Sequence, residues 1–319
     1  MKTLLYSNRY KTVHDQRFIE LLTKSYKVLE LYGTKRKYEI NPFEIIDIFL
    51  CGPLTEKWPS IIKNFVGAKN IGISWGYDLM YEIKEVNKLE IVKTNLKNCD
   101  KVIVDCYESY KILRNDFNFK NEVLVVPYGC DFEKFRHLAK AKQYNNHIAI
   151  LRSWTSIHNN KLILEAVKKI SPTFEVILNV LETEDEEKVE IQKFMNEESD
   201  IKVNVYKSSE NNYLEVIRRS GIYVSASKTD GTSITLLEAM ASKLLVLAPN
   251  LRSNLEWIED GKNGFTYNSQ DIDDLSEKLA HIMKLDIETR RKIANNAQCL
   301  IEERANWALN KEKILRFIP

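Results

Sequence analysis

Paired cysteines are the first thing this sequence lacks. Its five cysteines are odd in number and widely spaced, and none belongs to a C-x-x-C motif. They are Cys51, Cys99, Cys106, Cys130 and Cys299. This pattern indicates reduced thiols, as in a cytoplasmic protein, and argues against both a disulfide framework and a zinc site.

Long apolar runs are also missing. No run approaches the roughly 20 residues of a membrane span, and the apolar run in residues 1–6 is too short to predict a signal peptide. We therefore expect a cytoplasmic protein whose membrane contact, if any, is peripheral.

The net charge is small. A formal charge of +2 argues against nucleic acid as a partner. The charge is uneven, however, with about +5 in residues 1–140 and about −3 in the remainder. A weak basic surface on the N-terminal half would allow peripheral contact with the inner face of an anionic membrane. Scattered lysines are also common on an ordinary solvated surface.

Short apolar runs alternate with helical patterns along the whole chain. This alternation predicts α/β architecture with parallel sheets covered on both faces, and 319 residues suit two domains of similar size. The strands are predicted at 3–6, 26–31, 45–50, 70–74, 101–104, 123–126, 148–151, 174–180, 203–206, 221–226 and 244–248. The helices include 13–24, 57–65, 161–170, 182–198 and 211–219.

Residues 227–240 (SKTDGTSITLLEAM) contain the most informative pattern. They follow a predicted buried strand, turn at Asp230 and Gly231, and enter a helix that is apolar apart from Glu238. A carboxylate on such a helix needs a polar partner, since its desolvation costs several kcal/mol. The helix start leaves the backbone N–H groups of Ser233, Ile234 and Thr235 unpaired, which suits a diphosphate.

The spacing of Asp230 and Glu238, the run 236–241 and the later DGKNG of residues 260–264 resemble the signature region of the retaining glycosyltransferases of family 4. The resemblance implies the GT-B fold, with two Rossmann-like domains facing each other across a cleft. In that family two carboxylates in a Glu-x7-Glu pattern face the donor, the first at the sugar and the second at the ribose. Here Asp230 replaces the first glutamate. Taken alone, Asp230 and Gly231 also suit an ordinary turn before a helix, and Glu238 suits a buried carboxylate without a ligand.

The resemblance extends to the diphosphate site and to the passage between domains. In the family, an arginine at the end of the first strand of the second domain and a lysine in the following loop hold the donor diphosphate. Arg152 matches the arginine, and the position of the lysine falls on His158. Residues 126–135 resemble the interdomain passage, so we expect an N-terminal acceptor-binding domain in residues 1–140 and a donor-binding domain in 141–319. The final helix, about residues 307–319, is expected to cross back to the N-terminal domain.

Two loops of the N-terminal half are candidates for the acceptor side. Asp78, in SWGYD of residues 74–78, resembles the family's Gly-x-Asp turn and is a candidate catalytic residue, although an aspartate here also suits a helix N-cap. The loop after the first strand has no glycine, so either Arg9 and Lys11 reach the donor phosphates or the loop serves the acceptor.

The resemblance implies a metal-independent retaining glycosyltransferase that uses a nucleoside diphosphate sugar as donor substrate, with no cofactor. Its acceptor would be a hydroxyl of a glycan, a lipid-linked saccharide or a small molecule. Asp78 and Asp230 are the predicted catalytic residues. The predicted donor-binding residues are Arg152, His158, Gly231, Ser233, Ile234, Thr235 and Glu238. Asp271-Ile-Asp273 begins an amphipathic helix, where acidic capping explains it without a metal. A nucleotide-sugar epimerase and a non-catalytic nucleotide-sugar-binding protein remain alternatives.

Overall fold

The computed structural model describes residues 1–9, 13–32, 45–58, 67–139, 144–182, 185–198 and 201–319. Lys11 and most of the predicted helix 57–65 lie outside these residues. The chain divides into two compact units, which are Met1–Tyr128 with Leu309–Pro319, and Gly129–Ala308.

The first unit contains a six-stranded parallel sheet in the order β2-β1-β3-β4-β5-β6. The strands are β1 (Thr3–Asn8), β2 (Lys27–Tyr32), β3 (Ile48–Cys51), β4 (Lys69–Ile73), β5 (Lys101–Val104) and β6 (Glu122–Val125). The described helices are α1 (Val13–Leu22), α2 (Tyr77–Met80), a 3₁₀ turn (Glu82–Lys84), α3 (Val86–Asn98) and α4 (Tyr107–Asn115).

The central strands of this sheet are buried on both faces. All six residues of β1 and all four of β3 are buried, as expected for a parallel sheet with helices on each side. The chain runs from β1 outward to β2 and then returns to β3 on the other side of β1. The strand order therefore reverses between β1 and β3, and this is the switch point of the first sheet.

The second unit contains another six-stranded parallel sheet, in the order β12-β11-β10-β7-β8-β9. Its strands are β7 (His147–Ile150), β8 (Ile177–Glu182), β9 (Lys202–Lys207), β10 (Ile222–Val224), β11 (Leu245–Pro249) and β12 (Phe265–Tyr267). Its helices are α5 (Phe132–Leu138), α6 (Asn160–Ile170), α7 (Asp185–Glu197), α8 (Glu210–Arg219), α9 (Ile234–Ala241), α10 (Arg252–Leu255), α11 (Ile272–Lys284) and α12 (Ile287–Arg304). A last helix, α13 (Trp307–Phe317), begins in this unit and enters the first unit at Leu309.

Two buried clusters cover the second sheet. One includes Ile148, Val224 and Leu247 with residues of α6 and α11, and the other includes Ala149 and Tyr223 with residues of α9 and α12. In this sheet the chain runs from β7 out to β9 and returns to β10 beside β7. The switch point of the second sheet therefore lies between β7 and β10.

The second unit begins at Gly129, twelve residues before residue 141, where the sequence predicts the second domain to begin. Gly129 has a φ of +69°, and a Cβ there would lie 2.3 Å from the carbonyl oxygen of Ala305. The next residue, Cys130, donates its N–H to that oxygen at 3.0 Å, and Phe132 and Phe135 are buried in the second unit. The segment after Gly129 is thus part of the second core. The predicted extent of the two functional domains stays a prediction.

The C-terminal segment packs within the first unit. Asn310 Nδ2 donates to the carbonyl oxygen of Pro127 at 3.0 Å, and Tyr26 Oη donates to that of Ile318 at 3.3 Å. Among the residues that the structure describes, no helix is long and apolar enough to cross a membrane.

Candidate functional site

The carboxyl ends of β7 and β10 bring together two residues that are 78 positions apart in sequence. Arg152 follows β7 by two residues, and Asp230 lies in the loop between β10 and α9. One terminal N–H of Arg152 donates to Asp230 Oδ2 at 2.8 Å. The pair lies at the switch point of the second sheet, where ligands of open parallel sheets bind.

Arg152 is only partly satisfied by the protein. Its terminal Nη2 contacts Asp230 and also lies 2.7 Å from His158 Nε2. Its Nε is buried without a hydrogen-bond partner in the part of the chain that the structure describes. About a fifth of the side chain is exposed, at 19%. A buried N–H without an acceptor is costly, so this group is ready to donate to a ligand.

His158 is a neutral hydrogen-bond acceptor toward Arg152. Because a guanidinium cannot accept a hydrogen bond, His158 Nε2 must be unprotonated. Its Nδ1–H then donates to the carbonyl oxygen of Ser153, at 3.0 Å. Burial and the positive charge of Arg152 together lower the pKa of His158 to about 4, although the hydrogen bond with the backbone of Ser153 opposes this. The predicted role of His158 in holding a phosphate stays a prediction; the described contacts hold Arg152 instead.

Asp230 is a half-buried carboxylate inside a set of donors. Burial raises the pKa of Asp230, and this is opposed by Arg152, by the Ser233 hydroxyl and by the backbone N–H of Gly231. Its own carbonyl oxygen accepts from Ser253 Oγ at 2.8 Å, which fixes the turn. At the predicted sugar end, the carboxylate is therefore held by an ion pair.

The start of α9 carries both unpaired N–H groups and hydroxyls. Ser233 is the N-cap without a side-chain cap bond, and the first N–H bonded back to it is that of Leu237, at 3.1 Å. The N–H groups of Ile234 and Thr235 therefore have no partner within the helix. Thr235 Oγ1 lies 3.1 Å from Ser233 Oγ and 3.0 Å from the hydroxyl of Tyr223.

Glu238 lies farther along α9 and is 8% exposed. The sequence predicts that this carboxylate needs a polar partner, and the structure identifies one in Tyr213 of α8, whose hydroxyl donates to Glu238 Oε2. Sequence reasoning missed Tyr213, because an aromatic residue on an amphipathic helix has the pattern of an ordinary core residue. No local motif could have identified it.

Two polar residues outside this group have internal partners. Asn254 is 3% exposed and donates from Nδ2 to the carbonyl oxygen of Pro249 at 2.9 Å. Asp271 caps α11 by accepting from the N–H groups of Asp273 and Asp274, each at 3.0 Å, which confirms the capping interpretation.

Asp78 in the first unit is 1% exposed. Its carboxylate accepts from the N–H of Leu54 at 2.8 Å, from Ser74 Oγ at 2.7 Å and from the N–H of Trp75 at 3.1 Å. Burial raises the pKa of Asp78 to about 6, although these hydrogen bonds oppose the rise. These hydrogen bonds join two loops and account for the burial of the Asp78 carboxylate. A catalytic role for Asp78 stays a prediction.

Arg9, at the end of β1, is enclosed by carboxylates. Its Nε donates to Glu56 at 2.7 Å, and its two terminal nitrogens donate to the two oxygens of Glu82 at 2.8 and 3.0 Å. This bidentate geometry is a strong one for an arginine. The nitrogens of Arg9 are therefore occupied by carboxylates of the first unit.

A model of the family "glycosyl transferases group 1" matches residues 131–299, just over half of the chain. The chain belongs to this family. Over 108 residues it is 36% identical to sucrose synthase of Denitrovibrio acetiphilus, a stretch that covers 33% of this chain and 14% of that protein. Over 95 residues it is 32% identical to the lipopolysaccharide core biosynthesis mannosyltransferase LpcC of Rhizobium leguminosarum bv. viciae, covering 30% of this chain and 26% of that protein. The matches thus span small parts of these curated relatives.

Solved structures match over nearly the whole chain. Anabaena Alr3699/HepE, in complex with UDP, superposes with a TM-score of 0.78 at 14% identity and covers 99% of each chain. Sucrose-phosphate synthase of Thermosynechococcus elongatus superposes with a TM-score of 0.77 at 13% identity, covering 99% of this chain and 98% of that one. Together with the two parallel sheets, these likenesses show the two-domain, Rossmann-like GT-B fold.

Proposed function

We propose that this protein is a retaining glycosyltransferase of family 4 that transfers a sugar from a nucleoside diphosphate donor to an acceptor hydroxyl. The proposal is supported by the family membership and by the chemistry at the switch point of the second sheet. The single observation that carries it is the convergence of Arg152, Asp230 and the start of α9 at that point.

The diphosphate binds between Arg152 and α9. The buried Nε–H of Arg152 lacks an acceptor, and the N–H groups of Ile234 and Thr235 lack helical partners. Phosphate oxygens satisfy both sets of donors, and the positive end of the helix dipole adds to their attraction.

The remaining parts of the donor are assigned to the two carboxylates. Asp230, beside Arg152, contacts the sugar, while Glu238, farther along α9, accepts hydrogen bonds from the ribose hydroxyls. These roles follow the family pattern at the same spacing. His158 holds Arg152 through its neutral Nε2, so in this protein Arg152 carries the side-chain positive charge at the diphosphate.

Charge stabilisation of the leaving group comes from the protein itself. As the sugar departs, negative charge grows on the diphosphate, and preorganised donors at that position lower the barrier. We therefore infer transfer without a divalent cation. Full activity after exhaustive treatment with EDTA is expected; activity that returns only on addition of Mg²⁺ or Mn²⁺ would overturn this part of the proposal.

The acceptor is a hydroxyl of a glycan, of a lipid-linked saccharide or of a small molecule. The name of the Rhizobium relative, a lipopolysaccharide core mannosyltransferase, supports this class of acceptor. A peripheral approach of the first unit to a membrane, and participation of Asp78, belong to the same proposal.

A panel of nucleotide sugars tests the donor first. A ligand that binds only the folded state raises the unfolding temperature by mass action, so one sugar nucleotide should raise it clearly above the others. Product analysis with that donor then separates the alternatives. Glycosylated acceptor supports transfer, an epimerised sugar nucleotide formed without acceptor identifies an epimerase, and binding without turnover over a broad acceptor panel identifies a non-catalytic protein.

Glu238→Ala tests the site. In a folded variant with unchanged thermal stability, donor binding or turnover should be lost, since the ribose loses its carboxylate. Normal turnover by that variant would refute the assignment of the site.

A further inference from the structure

The hydrogen bond between Tyr213 and Glu238 joins two helices of the second unit. Tyr213 is the fourth residue of α8, and Glu238 is the fifth residue of α9. The phenol donates to Glu238 Oε2. Tyr213 thus contacts the carboxylate that the proposed function assigns to the ribose.

Tyr213 is held rigidly in this position. Its ring packs edge-on against Phe135 of α5, with centroids 6.4 Å apart and an interplanar angle of 87°. The N-terminus of α8 is fixed by Ser209, whose side chain accepts from the N–H of Asn212. A residue locked by packing and by its helix can fix the orientation of a partner side chain.

The phenol also remains a donor over a wide pH range. Burial and the negative charge of Glu238 raise the pKa of Tyr213 well above its ordinary value. A carboxylate offers about four acceptor positions, so the bond from Tyr213 is compatible with further bonds from ligand hydroxyls. Tyr213 therefore orients the Glu238 carboxylate without blocking it.

We propose that Tyr213 is a positioning residue that fixes Glu238 for the ribose hydroxyls and so makes the site selective for ribonucleotides over 2′-deoxyribonucleotides. The inference rests on the proposed function, because it needs a nucleoside diphosphate at this site. A carboxylate with a fixed rotamer distinguishes a hydroxyl from a hydrogen, because the missing hydroxyl leaves a buried acceptor unpaired. A carboxylate free to rotate loses part of that distinction.

Binding calorimetry tests the inference without any acceptor. The probes are UDP, GDP, ADP and CDP, and the best binder is then compared with its 2′-deoxy counterpart. The wild type should bind the ribonucleotide at least about tenfold more tightly, which corresponds to ~1.4 kcal/mol. In Tyr213→Phe this ratio should fall to about twofold. The loss of a factor of about five corresponds to the net contribution of one hydrogen bond.

Two controls separate positioning from a general structural effect. Tyr206→Phe removes a hydroxyl from another tyrosine that packs against the same buried cluster, and it should keep the full ratio. In a Glu238→Gln background, adding Tyr213→Phe should lower the ratio no further, because the two residues act through one contact. If Tyr213→Phe proves unstable, Glu238→Gln alone, which keeps Tyr213, is compared with the wild type, and its ratio should fall as well.

The outcomes distinguish this inference from the proposed function. If the wild type binds none of the four diphosphates, the proposed function fails and the inference fails with it. If the wild type binds one of them but does not distinguish ribose from deoxyribose, or if Tyr213→Phe keeps the full ratio, the inference alone is overturned.

Discussion

The two units place an arginine in the same topological position and give it different neighbours. Arg9 follows β1 and Arg152 follows β7, and each of these strands borders the switch point of its sheet. Arg9 pairs with two carboxylates, from Glu56 and Glu82. Arg152 pairs with one carboxylate and one neutral imidazole.

This difference decides which switch point can take an anion. Two carboxylates occupy the nitrogens of Arg9, and Lys88, whose Nζ lies 3.4 Å from Glu56 Oε1, balances the second negative charge. A phosphate would therefore have to displace these carboxylates. Around Arg152, by contrast, Asp230 balances the charge while Nε stays without a partner in the described chain. Equivalent positions in two similar sheets thus differ in the number of charged acceptors around the arginine, and the proposed function assigns the diphosphate to the one with fewer.

The largest expected effect is the loss of nucleotide binding in Arg152→Ala. Charge-assisted hydrogen bonds contribute about 1.5–3 kcal/mol each, so nucleoside diphosphate affinity should fall by about 100-fold. Calorimetry of the best-binding diphosphate measures this loss.

Arg9→Ala is the matched control in the first unit. Its nucleotide affinity should stay within about twofold of wild type. Its unfolding free energy should fall by about 1–3 kcal/mol, because Glu82 keeps its charge without its bidentate partner, whereas Glu56 retains Lys88. Equal losses of nucleotide affinity in the two variants would erase the distinction between the switch points.

A smaller effect of opposite sign is expected for Asp230→Asn. Removing the carboxylate frees Arg152 for the diphosphate. The best-binding nucleoside diphosphate should therefore bind about two- to fivefold more tightly, a change that matches the free energy of a partly exposed ion pair. Turnover of the nucleotide sugar should fall at the same time, since Asp230 is assigned to the sugar. Weaker diphosphate binding in this variant would show that Asp230 does not compete for Arg152.

The protonation of His158 provides the next test. Its pKa of about 4 lies below the ordinary value, so the folded state binds fewer protons than the unfolded chain between about pH 4 and 6.5. This group therefore lowers stability as the pH falls through that window and contributes no pH dependence above it. Histidine-selective NMR should give His158 a midpoint near pH 4; a midpoint near 6.5 would contradict a neutral partner for Arg152.

The smallest effect concerns the helix end after the site. Lys243 has a φ of +59°, in the left-handed region that favours glycine at the end of a helix. Lys243→Gly should raise the unfolding free energy by about 0.5–1 kcal/mol through relief of that strain, seen as a melting temperature higher by about 2 °C. Asn118→Gly in the first unit, at a φ of +51°, should change less, because asparagine tolerates this conformation.

Much of the fold follows from local patterns. Apolar runs bounded by polar turns predicted the described strands β1–β11 to within a few residues but missed β12, whose three residues are too short a run to stand out. The capping role of Asp271 followed from its place before an amphipathic helix. These signals are local, since burial and capping depend on neighbours in the chain.

The contacts of the site were not predictable in the same way. The pairing of Arg152 with Asp230 joins loops after two different strands, and the bond from Tyr213 to Glu238 joins two helices. Such partners are chosen by tertiary packing, which residue type and spacing do not specify.

A crystal structure with the best-binding nucleoside diphosphate tests the central claim most directly. The account predicts phosphate oxygens within hydrogen-bond distance of Arg152 Nε and of the N–H groups that begin α9, with the ribose hydroxyls on Glu238. A diphosphate bound at Arg9, with the Arg152–Asp230 pair unchanged, would contradict it.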